Sequence, residues 1–223
     1  MRPISCISIV LMLCAGTSAA RADNRYYIMM FASQRDNPKL PRFAHTFATF
    51  VHIGNTGGKE RIEAHTISWL PQTLDVVPRL RPEPGKNFDL KATLTWAERD
   101  GQRVIAWGPF QIDKKLYELA REQVERLNKG GIAYRMVDGK LRSPEVMNCI
   151  HAVSDLDTTQ APLVTGIAFG DAASLAVLRH FERWLDRPEK THEAITDYLR
   201  LREHRIDYAP FTPSASAVPK GER

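Results

Sequence analysis

Residues 45–69 decide the fold. His45 to Ile53 reads HTFATFVHI, Gly54 to Gly58 reads GNTGG, and Arg61 to Trp69 reads RIEAHTISW. Both flanking runs are rich in β-branched and aromatic side chains, which suit a pleated, half-buried surface. The glycines and asparagine between them supply the backbone a tight reversal needs. An antiparallel hairpin is therefore expected, its second strand ended by Pro71. Upstream, Tyr26 to Ala32 (YYIMMFA) reads as a buried strand, followed by a polar loop from Ser33 to Pro41.

Downstream, Pro78 to Gly85 holds three prolines and reads as a surface connection. Phe88 to Glu98 and Arg103 to Ile112 read as a second hairpin around Asp100-Gly101. Lys114 to Asn128 spaces Leu116, Leu119, Ala120, Gln123 or Val124, and Leu127 as one helical face, and Gly130-Gly131 ends it. Its charged run from Arg121 to Arg126 reads as a solvated face. Ile132 to Val137 is a short strand before Asp138-Gly139. Helices are expected at Ala172–Leu185 and Thr191–His204. The chain from Pro210 is rich in Pro, Ser and Ala and is expected to be disordered. The fold class that follows is α+β: one antiparallel sheet of five or six strands with packed helices, in a single domain over 23–209.

The chain has 223 residues, enough for one domain with a real core. Its 31 basic and 26 acidic residues are interspersed, so the net charge of +5 is no footprint for nucleic acid. Composition excludes a disordered chain, a collagen and a disulfide scaffold. At the start, Arg2 precedes an uncharged, mostly apolar run from Ile4 to Ala15. Small residues follow, and both Ser18-Ala19-Ala20 and Ala20-Arg21-Ala22 fit a small-x-small cleavage pattern. Residues 1–22 read as a cleaved secretory signal, too short for a membrane span. The expected location is the periplasm or the exterior, with no integral span in the mature form.

Signal removal takes Cys6 and Cys14 and leaves Cys149 as the single thiol. Exported proteins usually pair their cysteines or avoid them. A lone thiol is a buried small hydrophobe, an intermolecular partner or a nucleophile. Here it stands in Asn148-Cys149-Ile150-His151. If Asn148 caps a helix, Cys149 is its first residue and lies at the positive end. If Ser143 caps instead, Cys149 falls in the second turn. The base must come from elsewhere: His45 opens one strand and His65 lies on the next. A thiol, an imidazole base and a polar group that fixes the ring form a Cys-His-polar triad.

The order of these motifs resembles the circularly permuted papain-like thiol enzymes of the NlpC-like superfamily, which include YiiX-type proteins and lecithin–retinol acyltransferase relatives. The similarity lies in a His opening a strand, a second His on the following strand, and a late Asn-Cys-x-His. It implies a permuted papain-like fold. It also implies Cys149 of NCIHAV as nucleophile, His45 of HTFATFV as base and His65 of EAHTISW as polar partner. Ser68 and Glu63 are alternatives for the third role. The function expected is an exported cysteine hydrolase that cleaves an amide or ester through an acyl-thioester, with a peptide or cell-wall amide as natural substrate. The alternative is a non-catalytic cell-envelope binding module that keeps a papain-like shell.

Other residues are expected to be structural. His151 lies two residues past the thiol and points away on a helix. His52 is on the opposite strand face from His45. Zinc on His45, His65 and Cys149 is disfavoured, because no close-spaced ligand pair exists among them. No cofactor is expected. Gln34 is a weak candidate for an oxyanion donor, and the backbone N–H of Cys149 a better one. Trp69, Trp96, Trp107 and Trp184 read as core, with Trp107-Gly108-Pro109 a candidate rim.

Overall fold

A computed structural model describes residues 24–35, 44–56, 59–79, 81–137, 143–164, 170–187 and 193–212. Residues 1–22, expected to be an export signal, most of the expected loop 33–41, Gly57-Gly58, Asp138-Gly139 and the chain beyond 212 lie outside the described residues. The strands are β1 (Arg25–Gln34), β2 (His45–Thr56), β3 (Lys59–Ile67), β4 (Trp69–Pro71), β5 (Glu83–Asn87), β6 (Arg103–Ile112), β7 (Ala133–Tyr134), β8 (Val146–Met147), β9 (Leu185–Arg187) and β10 (Ile206–Tyr208). The helices are α1 (Leu90–Arg99), α2 (Lys114–Lys129), α3 (Cys149–Ser154), α4 (Gly170–His180) and α5 (Glu193–Tyr198). Short 3-10 turns follow α4 and α5, at Glu182–Trp184 and Leu201–Glu203.

The class is α+β, with sheets that are mainly antiparallel. The larger sheet has the order β10-β6-β1-β2-β3, with β9 also on β6. Its expected hairpin forms: β2 and β3 pair antiparallel, with Ala48 opposite Ile67 and Phe50 opposite His65. β10 joins parallel to β6. The segment read as one strand from Arg61 to Trp69 divides at Ser68. Trp69 begins β4, which belongs to a second sheet of order β4-β5-β7-β8. The expectation of a single sheet is therefore corrected to two.

Strand alternation and the helix contacts define two layers around the larger sheet. On one face, Tyr117 of α2 packs against Tyr26, His52 and His65, and Ser174 Oγ of α4 bonds Thr46 Oγ1 at 2.9 Å. α3 belongs to this layer, tied to α2 by Gln123 Nε2 donating to the Ala152 carbonyl at 3.0 Å. α1 lies on the other face, where Trp96 meets His45. The chain after α5 touches α1 through His204 and Glu98, 3.0 Å apart. Cover on both faces explains β1, whose residues Tyr27 to Ser33 are all buried without alternation.

Residues 88–98 are a correction. They form no strand: α1 runs from Leu90 to Arg99, with Asp89 Oδ1 accepting from Ala92 N at 2.7 Å as its cap. Leu90, Thr93, Leu94, Trp96 and Ala97 are its buried residues, at three- and four-residue spacing. Gly101, at φ +64°, ends the helix rather than turning a hairpin. The predicted helices near the C-terminus are real but shorter, α4 stopping at His180 and α5 covering only Glu193–Tyr198. Phe211 packs on Phe110 with ring centroids 5.6 Å apart, so the packed chain extends past residue 209. Trp69, Trp96 and Trp107 are core residues.

Candidate functional site

His45 is the first residue of β2, opposite Ser33 of β1. Its ring is fully buried, stacked on Phe47 at 5.2 Å and met edge-on by Trp96 at 5.9 Å. Nε2 lies 2.9 Å from Ser68 Oγ. Ser68 Oγ lies 2.7 Å from Thr93 Oγ1, which in turn is 2.8 Å from the Asp89 carbonyl oxygen. Thr93 Oγ1 donates to Ser68 Oγ and also approaches the Asp89 carbonyl, and the Ser68 hydroxyl and His45 Nε2 share the remaining bond. A proton on Nδ1 would leave a buried N–H unpaired, which is rarer than an unpaired acceptor. That favours the tautomer with the proton on Nε2 and a lone pair on Nδ1. Nδ1 has no hydrogen-bond partner among the described residues. Burial pushes the imidazole pKa down from 6.5 to about 3, so the ring is neutral near pH 7.

The polar group the structure places beside His45 is Ser68, one of the alternatives, and not His65. His65 stands opposite Phe50, an odd number of residues from His45 on β2, so it projects from the other face. Its ring contacts Tyr117 at 5.7 Å. Burial lowers its pKa and Arg121 adds to this, while Glu63 and Glu125 oppose it. Ser68 itself is positioned by β3's end: its N–H donates to Asn87 Oδ1 at 2.8 Å, and Asn87 Nδ2 holds the Thr66 carbonyl at 2.9 Å. Thr93 and Trp96 are members of this site that the sequence reading missed, because it took their segment for a strand. The signal was present: Asp89 three residues before Ala92, then helical spacing of apolar side chains.

Cys149 is the first residue of α3 and 7% exposed. Asn148, not Ser143, is the cap: its Oδ1 accepts from His151 N at 2.8 Å while its Nδ2 donates to the Met136 carbonyl at 3.3 Å. All six residues of α3 are buried, and the helix packs on β2. So short a helix has a small dipole, and the help it gives a thiolate is correspondingly small. His151 Nε2 bonds the Leu163 carbonyl at 3.0 Å, a structural role. Gln34 Oε1 accepts from Asp171 N at 3.4 Å, at the start of α4. Cys149 and His45 are not hydrogen-bonded to each other. Thr46 bonds α4 on the layer that contains α3, whereas the His45 ring faces α1.

No known protein family, curated protein or solved structure matches this chain.

Among the described residues no three His, Cys, Asp or Glu side chains gather as a metal site would need. No described helix is long and apolar enough to cross a membrane. Asp157 is a further strongly perturbed group. Burial works to raise its pKa, but bonds from Thr159, Gln160 and Trp184 outweigh it and hold the carboxyl well below the usual range. Arg183 also reaches Oδ2. These partners tie the loop after α3 to the turn after α4, which makes the group structural.

Proposed function

We propose that the chain is an exported thiol hydrolase of permuted papain-like type, acting on an amide or ester. The observation that carries this reading is the relay from His45 through Ser68 and Thr93 to Asp89 O. It holds a buried, neutral imidazole by Nε2 and leaves Nδ1 without a partner, on the strand whose other face carries the Cys149 helix. An unpaired buried polar atom costs about 1–3 kcal/mol. Such atoms recur where chemistry uses them.

In the proposed reaction Sγ of Cys149 attacks the substrate carbonyl carbon as its proton passes to Nδ1. The C–N or C–O bond then breaks, and His45 returns that proton to the leaving amine or alkoxide. Water attacks the acyl-thioester, giving a proton to Nδ1. The C–S bond breaks, the acid leaves and Sγ recovers its proton. Burial opposes a resting thiolate–imidazolium pair, so the proton moves with the attack rather than before it. As folded, the His45 ring faces α1 while the Cys149 helix lies on the other layer of the sheet, so this reaction requires substrate binding to bring the two groups together. Residues 1–22 as an export signal give the periplasm or exterior as compartment, and a peptide or cell-wall amide as the natural substrate class.

One observation favours a second reading, a non-catalytic envelope module: the thiol and the imidazole are nearly sealed from solvent and share no hydrogen bond. The test is the rate of Cys149 alkylation by iodoacetamide from weakly acid to weakly alkaline pH. It compares the mature chain with His45→Ala and Ser68→Ala. The hydrolase reading expects His45→Ala to slow the reaction at neutral pH by at least about tenfold, with Ser68→Ala between the two. Equal rates in all three, or reaction only on unfolding, would select the second reading.

A further inference from the structure

A cleft of about 410 Å³ runs along the outer side of α1, in the size range of small-ligand sites. Its walls are Leu74, Phe88, Ala92 and Trp96, and Lys91 and Arg99 stand at its edge. Two features mark it beyond its apolar lining. Leu74 is held at φ +60°, a left-handed backbone that non-glycine residues rarely adopt and that collects at ligand sites. The charge also leans positive, with two cations against one acid in the lining. Asp89 is the acid of the lining, and its Oδ1 is engaged in capping α1. Lys91 has no ion-pair partner among the described residues, Arg99 has only Asp100 at 3.6 Å, and Lys86 lies over the Phe88 ring at 5.1 Å. An apolar trough edged by cations complements an apolar body with a single anionic end.

We propose that this cleft binds an amphipathic carboxylate, its hydrocarbon along Phe88 and Trp96 and its carboxylate at Lys91 and Arg99. The proposal joins the site already described, because Trp96 touches the His45 ring and Thr93 of the same helix completes the Ser68 relay. Resting on the hydrolase reading, the cleft selects substrates that carry an apolar acidic group beside the scissile bond.

Binding is separable from turnover. Octanoate and 1-octanol are titrated calorimetrically into the mature chain and into Thr95→Trp and Lys91→Glu. Both positions are exposed on α1, so neither change touches the core. Octanoate is expected to fill one site with Kd of about 1 mM or tighter. Octanol should bind about tenfold more weakly, and each variant should weaken octanoate about tenfold. No saturable octanoate binding, equal binding of octanol, or variants that bind as the parent does would each overturn the cleft assignment. If octanoate binds as expected while alkylation of Cys149 ignores His45, the cleft stands as a binding site and the hydrolase reading falls. The reverse pattern removes the cleft and leaves the thiol chemistry.

Discussion

At His45 the folded chain holds an imidazole that water would protonate below pH 6.5 and the core keeps neutral until about 3. Between these values the unfolded chain binds one more proton than the folded chain, so stability rises with pH across that window. Wild-type protein should therefore lose urea resistance as pH falls from about 6.5 towards 4. His45→Gln keeps a donor for Ser68 but cannot titrate, and its unfolding midpoint should move much less over the same range. Parallel midpoints in the two proteins would show that the ring is not buried neutral. Asp157 acts in a lower window. Its carboxyl is held below the reference value of 3.8, so its contribution is present above that pH and fades as pH falls through and below it. Asp157→Asn removes the charge that Thr159, Gln160 and Trp184 bond, at a cost of about 2–3 kcal/mol. Arg183 is half exposed and adds little. A melting temperature about 5–10 °C lower is the expected result, read by the fluorescence of Trp184. An unchanged melt would mean that the cluster does not anchor the loop. Both residues illustrate what a sequence withholds. His45 could be named from its place at a strand start, but the hydroxyl that holds it depends on register, and register is not legible in composition.

Elements whose period was clear in the sequence formed where expected. β1, β2, β3 and β6 each carry a long run of apolar, aromatic or β-branched residues and α2 a clear helical period, and their tertiary contacts agree with these readings. α1 failed because Phe88 to Glu98 mixes threonine and aromatic residues with a short apolar pattern that both periods accommodate. The deciding feature was local, the carboxylate of Asp89 at the cap. The second sheet was hidden for a different reason: β4, β7 and β8 have two or three residues each and no period of their own. Their place is set by packing, most tightly where Pro71 pairs with Gly85 and the Trp69 indole covers the glycine. A Cβ at Gly85 would stand 2.0 Å from Trp69 Cζ2, inside a ring that is 1% exposed. Gly85→Ala should cost about 1–3 kcal/mol by overpacking. Trp69→Phe removes the crowded part of the indole, so the double variant should lose less than the sum of the single changes. Additive losses in a double-mutant cycle would place the strain elsewhere.

For the molecule as a whole, the larger sheet is closed differently on its two edges. β3 ends one edge with exposed charged residues at Lys59, Glu60 and Arg61, which discourage pairing with another chain. The other edge is β6, a largely buried strand that cannot be left bare. Two short pieces cover it. β9 pairs at Gln111 and Ile112, and β10 pairs at Val104 to Ala106, with Ala209 N extending the bonding to the Ala106 carbonyl. Phe211 then closes over Phe110. The chain from residue 210 is expected from its sequence to be disordered, yet Phe211 packs against the sheet. Two truncations separate the parts. A chain ending at Thr212 keeps every described contact and should melt with the full-length protein. A chain ending at Arg205 loses β10 and the Phe211 contact, a loss of about 2–3 kcal/mol by buried apolar area. It also bares the β6 edge, so it should melt several degrees lower and associate as concentration rises, measured by light scattering. If the shorter chain stays monomeric and melts with the longer one, β9 alone protects the edge and the C-terminal strand is an ornament of the fold.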